Sequence, residues 1–159
     1  MIFYKTAGAL MLLISGVFVA VQLNGRLVRV REQSGAIEEW LRFLRGQIDC
    51  FSMPVADILS LGGCEILWRC GYRSDVVPRS FEELLTGSEI YDGDIESALR
   101  ELGASFGGCY REEQLRACDR CIAVVEKRHR EISDELPKKK KLNTTLSVSA
   151  ALALAILLV

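Results

Sequence analysis

The chain has 159 residues, a formal net charge of −1, six cysteines and a single histidine. The net charge by itself is uninformative and its distribution is what matters; no nucleic-acid partner is expected. One histidine excludes multi-histidine metal layouts, and nothing else in the sequence supports a Ser/His or Cys/His arrangement around it.

The first element lies between Lys5 and Arg26, where 20 consecutive residues carry no charge, among them AGALMLLISGVFVAVQL. An apolar run of this length is long enough to cross a bilayer as a helix. A cleaved signal peptide is the competing reading. It needs a small-x-small cleavage site, and Phe18, two places before Ala20, matches that poorly.

The pattern then becomes a heptad seam. Leu23, Leu27, Val30, Ser34, Ile37, Leu41, Leu44, Ile48 and Phe51 follow spacings of four and three, with one polar break at Ser34. Gly35 and Gly46 weaken this helix by about 1 kcal/mol each relative to Ala. Shorter helices follow. Pro54 opens PVADILSL, Gly62 and Gly63 bend or end it, and Gly71 stops CEILWRC. SFEELL has the capping-box spacing, Ser80 with Glu83 three residues on. DIESALRELGASFGG reads as a helix capped by Asp94, with Ile95, Leu99 and Leu102 on one face.

A second seam runs through Leu115, Cys118, Ile122, Val125, His129, Ile132 and Leu136, broken by His129 and interrupted by Pro137. If the two seams pair they must be antiparallel, and aligning their ends places Ser34 opposite His129. Lys138 to Lys141 then lead into Leu142–Val159, 18 residues without a charge. As a helix these span roughly 27 Å, close to the hydrocarbon thickness of a bilayer. A buried core helix is the alternative.

The inner flanks of both apolar runs are basic, with Arg26, Arg29 and Arg31 after the first and the four lysines before the second. Short loops rich in Lys and Arg stay in the cytoplasm. The expected organisation is all-α: an N-terminal transmembrane helix over residues 1–25, a cytosolic bundle of about six helices over 26–137, and a basic flank with a C-terminal transmembrane helix over 138–159. The long helices are expected to be antiparallel at the membrane end. The cysteines then face a reducing compartment, which favours free thiols.

Between Asp75 and Glu101 stand eight acids against Arg79 and Arg100. This segment is either a solvated surface or a docking face for a basic partner.

Two short motifs invite chemistry. GASFGGCY lacks the Lys and Ser/Thr that a phosphate-binding loop places after its last glycine, because Cys109 and Tyr110 follow Gly108. Cys118-Asp119-Arg120-Cys121 is a C-x-x-C without a second pair. Core packing is the favoured reading, and a membrane-tethered thiol or redox protein is the alternative. No catalytic residue, cofactor or metal site is expected.

These residues resemble the stage III sporulation protein AB family of endospore-forming bacteria. QIDCFSMPVADIL fits that family's pattern through Ile48, Pro54 and Leu59, and LGASFGGCYREEQL supplies Leu102, Gly103, Phe106, Gly107 and Gln114. Gly108 and Cys109 replace the usual Ser/Asp cap, and the last apolar run lacks the glycines common there. The resemblance implies a non-enzymatic membrane component of a secretion-like channel between mother cell and forespore. It also implies a six-helix cytosolic domain similar to that of the inner-membrane platforms of type II secretion and type IV pilus machines.

The implied partners are the sibling stage III sporulation ATPase (protein AA) and other proteins of the same operon, with self-association. The implied location is the mother-cell side of the outer forespore membrane. The candidate contact residues are Glu82, Glu83, Glu89, Asp92, Asp94, Glu96 and Glu101, with Glu112 and Glu113. If the two seams pair, Val30→Cys and Ile132→Cys in an otherwise cysteine-free chain will form a disulfide on mild oxidation, read as a mobility shift that a reductant reverses. A chain that stays uncrosslinked would mean that the seams do not meet.

Overall fold

The computed structural model describes residues 2–51, 53–106 and 110–158, and the side chains within them except those of 2–7, 9, 12, 13, 157 and 158. Gly107, Gly108 and Cys109, which bear on the phosphate-loop reading and on part of the family resemblance, lie outside the described residues. The described residues form five helices: α1 (Ile2–Phe51), α2 (Val55–Arg69), α3 (Phe81–Thr86), α4 (Gly93–Ser105) and α5 (Arg111–Leu158). Among the described residues there is no strand; one isolated antiparallel bridge joins Tyr72 to Ser88.

The count is five rather than the expected six because PVADILSL and CEILWRC merge into α2. That helix is broken locally at Gly63, whose backbone takes φ 63°, ψ 164°. The break expected at Gly62 and Gly63 is therefore present, as a kink at which two helical stretches of α2 meet. The chain divides into two compact units, one formed by residues 1–29 with 133–159 and the other by residues 30–132.

In the 30–132 unit, α1 and α5 run antiparallel. Their register is marked by Ser34 Oγ 2.8 Å from His129 Nδ1, by Arg42 with Glu126 at 3.3 Å, and by Arg45 with Asp119 at 2.6 Å. The two polar breaks of the seams thus meet in one layer, as their spacing predicts. Ser34 Oγ also lies 2.8 Å from the Arg31 carbonyl oxygen, which ties this layer to the α1 backbone.

Around this layer Ile37, Leu41, Leu44 and Ile48 meet Cys118, Ile122 and Val125 in a core completed by Ile58, Leu59 and Leu67 of α2, Phe81 and Leu84 of α3, and Ile95, Leu99 and Leu102 of α4. Trp40 stacks on Phe81 with ring centroids 5.9 Å apart. The seam stops at Ile48. Phe51, the last expected position, is 67% exposed.

Gln33 joins the segment before α4 to α1. Buried in the core, its Nε2 donates to the carbonyls of Cys70 at 3.1 Å and Glu89 at 2.6 Å, and its Oε1 accepts from the Tyr91 N–H at 3.0 Å. The close approach requires glycine at position 71. Its φ is 107°, and a Cβ there would lie 2.3 Å from Gln33 Nε2 and 2.6 Å from the Glu89 carbonyl oxygen.

In the other unit the helical segments pack through small residues. A Cβ on Gly16 would come within 2.6 Å of the Ala151 Cβ and 3.0 Å of the Ser147 carbonyl oxygen. Ala20, Ala151 and Ala155 are buried. The close contact lacking a glycine in the last apolar run is supplied by Gly16 on the opposing helix. Asn24 donates to Thr144 Oγ1 at 3.2 Å.

Pro137 does not interrupt α5, contrary to its sequence reading. A proline withholds one helical N–H, and the chain carries that single loss within a long hydrogen-bonded ladder. Among the described residues no helix is long and apolar enough to cross a membrane. Residues 6, 7, 9, 12 and 13 of the first apolar run and 157 to 159 at the end of the second fall outside the side chains described.

The glycines separate by environment. Gly46 has nothing within 4 Å of an added Cβ, so Gly46→Ala will stabilise the chain by about 1 kcal/mol through helix propensity alone. Gly71→Ala will destabilise it by about 1–3 kcal/mol through backbone strain and the clash with Gln33. Denaturant unfolding of the two variants beside the parent chain measures both signs.

Candidate partner-binding face

Most of the candidate carboxylates are occupied by their own fold. Ser80, in extended conformation, caps α3 by accepting the Glu83 N–H at 3.1 Å, and Glu83 returns a carboxylate oxygen to the Arg79 N–H at 2.8 Å. The Ser80 half of the capping box that the S-x-x-E spacing predicts is formed, while the Glu83 carboxylate reaches one residue further back, to Arg79 instead of the Ser80 N–H. Glu89 pairs with Arg73 at 2.9 Å, Glu96 with Arg100 at 2.7 Å and Glu112 with Arg116 at 3.6 Å.

The cap of α4 is Asp92, a correction to the expected Asp94. Asp92 has extended backbone (φ −111°, ψ 120°), and its Oδ1 accepts from the N–H groups of Asp94 and Ile95 at 3.1 and 3.2 Å. Asp94 sits one position inside the first turn. It presents its backbone N–H to the cap and frees its carboxylate for another partner, the guanidinium of Arg128.

Arg128 is the centre of this corner. Its guanidinium meets Asp92 at 2.7 Å, Asp94 at 3.1 Å and Glu131 at 2.7 Å, pinning the start of α4 to α5. Burial alone raises the Asp92 carboxyl. The Arg128 hydrogen bond, the two helical N–H groups and the Arg128 charge outweigh it and hold the group below the usual carboxylate value. The same contacts, led by the hydrogen bonds to Asp92 and Glu131, raise the guanidinium.

Three of the nine carboxylates have no ion pair or side-chain hydrogen bond among the described residues: Glu82 in the first turn of α3, Glu101 on α4 and Glu113 in the first turn of α5. The structure brings Asp92 and Asp94 together on Arg128. Of the other seven, six are distributed over α3, α4 and α5 and Glu89 lies in the connection before α4, without converging on one point. Sequence reading missed Gln33 and Arg128, the two side chains that position this segment. Neither carries a local signal, since each is a single polar residue whose partners lie far along the chain.

The C-x-x-C thiols are buried on the packed side of α5, and neither is in a disulfide. Burial, with a contribution from Asp119, pushes Cys118 up to about 11; burial, with Cys118 and Glu101, pushes Cys121 up to about 12. A thiol so shifted is almost entirely protonated near neutral pH and is a poor nucleophile. Among the described residues no group of three or more His, Cys, Asp or Glu side chains is arranged to hold a metal ion.

The family model for stage III sporulation protein AB matches residues 74–159, more than half of the chain. The chain belongs to the stage III sporulation protein AB family. The matched region takes in α3, α4 and α5, with the capping box, the Asp92–Arg128 corner and the C-terminal apolar run. Membership carries a role in stage III of sporulation. No curated protein and no solved structure matches the chain.

The depressed Asp92 carboxyl has a pH signature. Its contribution to stability is fully present above its ordinary value near 3.8 and is lost as pH falls through the lower folded value. Asp92→Asn keeps a capping oxygen but removes the charge opposite Arg128. The parent chain will lose stability more steeply than the variant below about pH 4, and unfolding free energies measured across the acid range test this.

Proposed function

We propose that this chain is a non-enzymatic membrane platform of a sporulation secretion-like channel, anchored through residues 1–25 and 138–159 and presenting residues 26–137 to the cytosol. The observation that carries the reading is the surface of the 1–29 and 133–159 unit. Leu10, Met11, Ile14, Phe18, Leu152 and Ile156 are all at least half exposed on helices whose inner contacts are already made by Gly16, Ala20, Ala151 and Ala155. Apolar surface on this scale is costly in water and favourable in lipid. Both helical segments satisfy their backbone internally, as lipid demands. Ser15 does likewise, donating to the Met11 carbonyl at 2.6 Å. Arg26, Arg29 and the four lysines set the cytosolic side.

On that side the proposed partner is the operon's secretion-type ATPase, with the other proteins of the operon in the same assembly. The family membership and the acidic surface support this. The carboxylates available to it are Glu82, Glu101 and Glu113, because Glu83 is engaged at the entry of α3 and the remaining candidates are paired with arginines of the chain. The redox alternative is disfavoured by the burial of Cys118 and Cys121.

Detergent-solubilised full-length chain is expected to co-purify with the ATPase, with binding that weakens as salt rises. Cys118→Ala with Cys121→Ala is expected to leave that binding nearly unchanged. A salt-insensitive interaction, or none, would count against the acidic contact, and loss of binding in the double alanine variant would favour the thiol reading.

A further inference from the structure

Within the 30–132 unit, α4 and α5 border a groove of about 300 Å³. Its floor is small and apolar, with Ala98 and Leu102 from α4 and Ala117 and Val124 from α5. Val124 is 40% exposed. The rims carry opposite charges, Glu101 on α4 and Arg120 on α5. Both side chains are exposed, and neither has an ion pair or side-chain hydrogen bond among the described residues. Their neighbours on the same two helices, Arg100, Arg116 and Arg128, are all paired. The antiparallel register of α4 and α5 is set by Arg128 against Asp92 and Asp94. In that register position 101 lies level with position 120 across the groove.

We propose that this groove is a contact face between two copies of the chain. A strip with an apolar floor, an acid on one rim and a base level with it on the other is complementary to itself. A twofold axis running along the groove lays α4 of each copy over α5 of its partner. Glu101 then faces the second copy's arginine twice, which is the reciprocal pairing of an isologous interface. The small floor residues let the helices approach closely, and the rim charges set the register while the apolar strip is removed from water. This does not depend on the ATPase reading, since the dimer requires only this chain.

The test uses two differently tagged full-length copies co-expressed and purified together in mild detergent. The parent copies will co-purify. Glu101→Arg alone places arginines against arginines, and Arg120→Glu alone places acids against acids. Each will reduce co-purification by about tenfold or more. Both residues are exposed and unpaired, so each variant should keep the parent's helicity and thermal midpoint. Mixing the two single variants will restore co-purification, because each copy then offers the charge that the other lacks. A pair formed within one chain could not be rescued by mixing.

Parent copies that never co-purify would overturn the proposal and leave the groove to a different protein. Single variants that co-purify like the parent, or a mixture that fails to recover, would overturn it as well. ATPase binding measured on the Arg120→Glu sample, which leaves every candidate acid in place, is a separate readout, so a failed dimer and a failed ATPase interaction are distinguishable.

Discussion

The antiparallel pairing of α1 with α5 is the constraint on which the 30–132 unit depends. Leu41, Leu44, Ile48, Cys118 and Val125 are withdrawn almost completely from solvent along it, and each fully buried Leu, Ile or Val side chain contributes about 1.5–3 kcal/mol. The flanking pairs, Arg42 with Glu126 and Arg45 with Asp119, are exposed and add little net stability. Burial therefore holds the seam, and polar groups choose its register. The Ser34–His129 layer makes that choice in the interior, because a slip by one turn would leave a hydroxyl and an imidazole facing aliphatic side chains.

The intervening helices are hung from this seam by two polar side chains. Gln33 reaches out of α1 to hold the backbone at Cys70, Glu89 and Tyr91, and Arg128 reaches out of α5 to hold the start of α4. The price is that the acidic segment spends much of its charge internally. Asp92 and Asp94 are committed to Arg128, Glu83 to the entry of α3, and Glu89 and Glu96 to neighbouring arginines. A surface that is strongly acidic by composition is much less so by available charge.

What could be read from the sequence follows from range. Features encoded within one or two turns were legible: the Ser80–Glu83 box, the break at Gly63 and the apolar positions of both seams. Ser34 opposite His129 was legible too, because two regular repeats with one polar interruption each can be aligned without knowing the fold. Features encoded by a single distant partner were not. Gln33 sits inside the first heptad run as one polar residue, and nothing local says that its amide will meet three backbone groups more than 35 positions away. The choice of Asp92 over Asp94 as cap turned on the backbone conformation at the helix entry and on where Arg128 arrives. Pro137 was misread because an interior proline costs a helix stability without having to end it, and α5 runs on through that position.

Arg111, at the beginning of α5, donates from Nε to the Ile48 carbonyl, and from its terminal nitrogen to the Asp49 carbonyl and carboxylate. It thereby ties off a loop whose ends are 63 residues apart in the chain. The excursion through α2, α3 and α4 is thereby closed at its base by one guanidinium, which adds a polar latch to the apolar contacts those helices make with the two long ones.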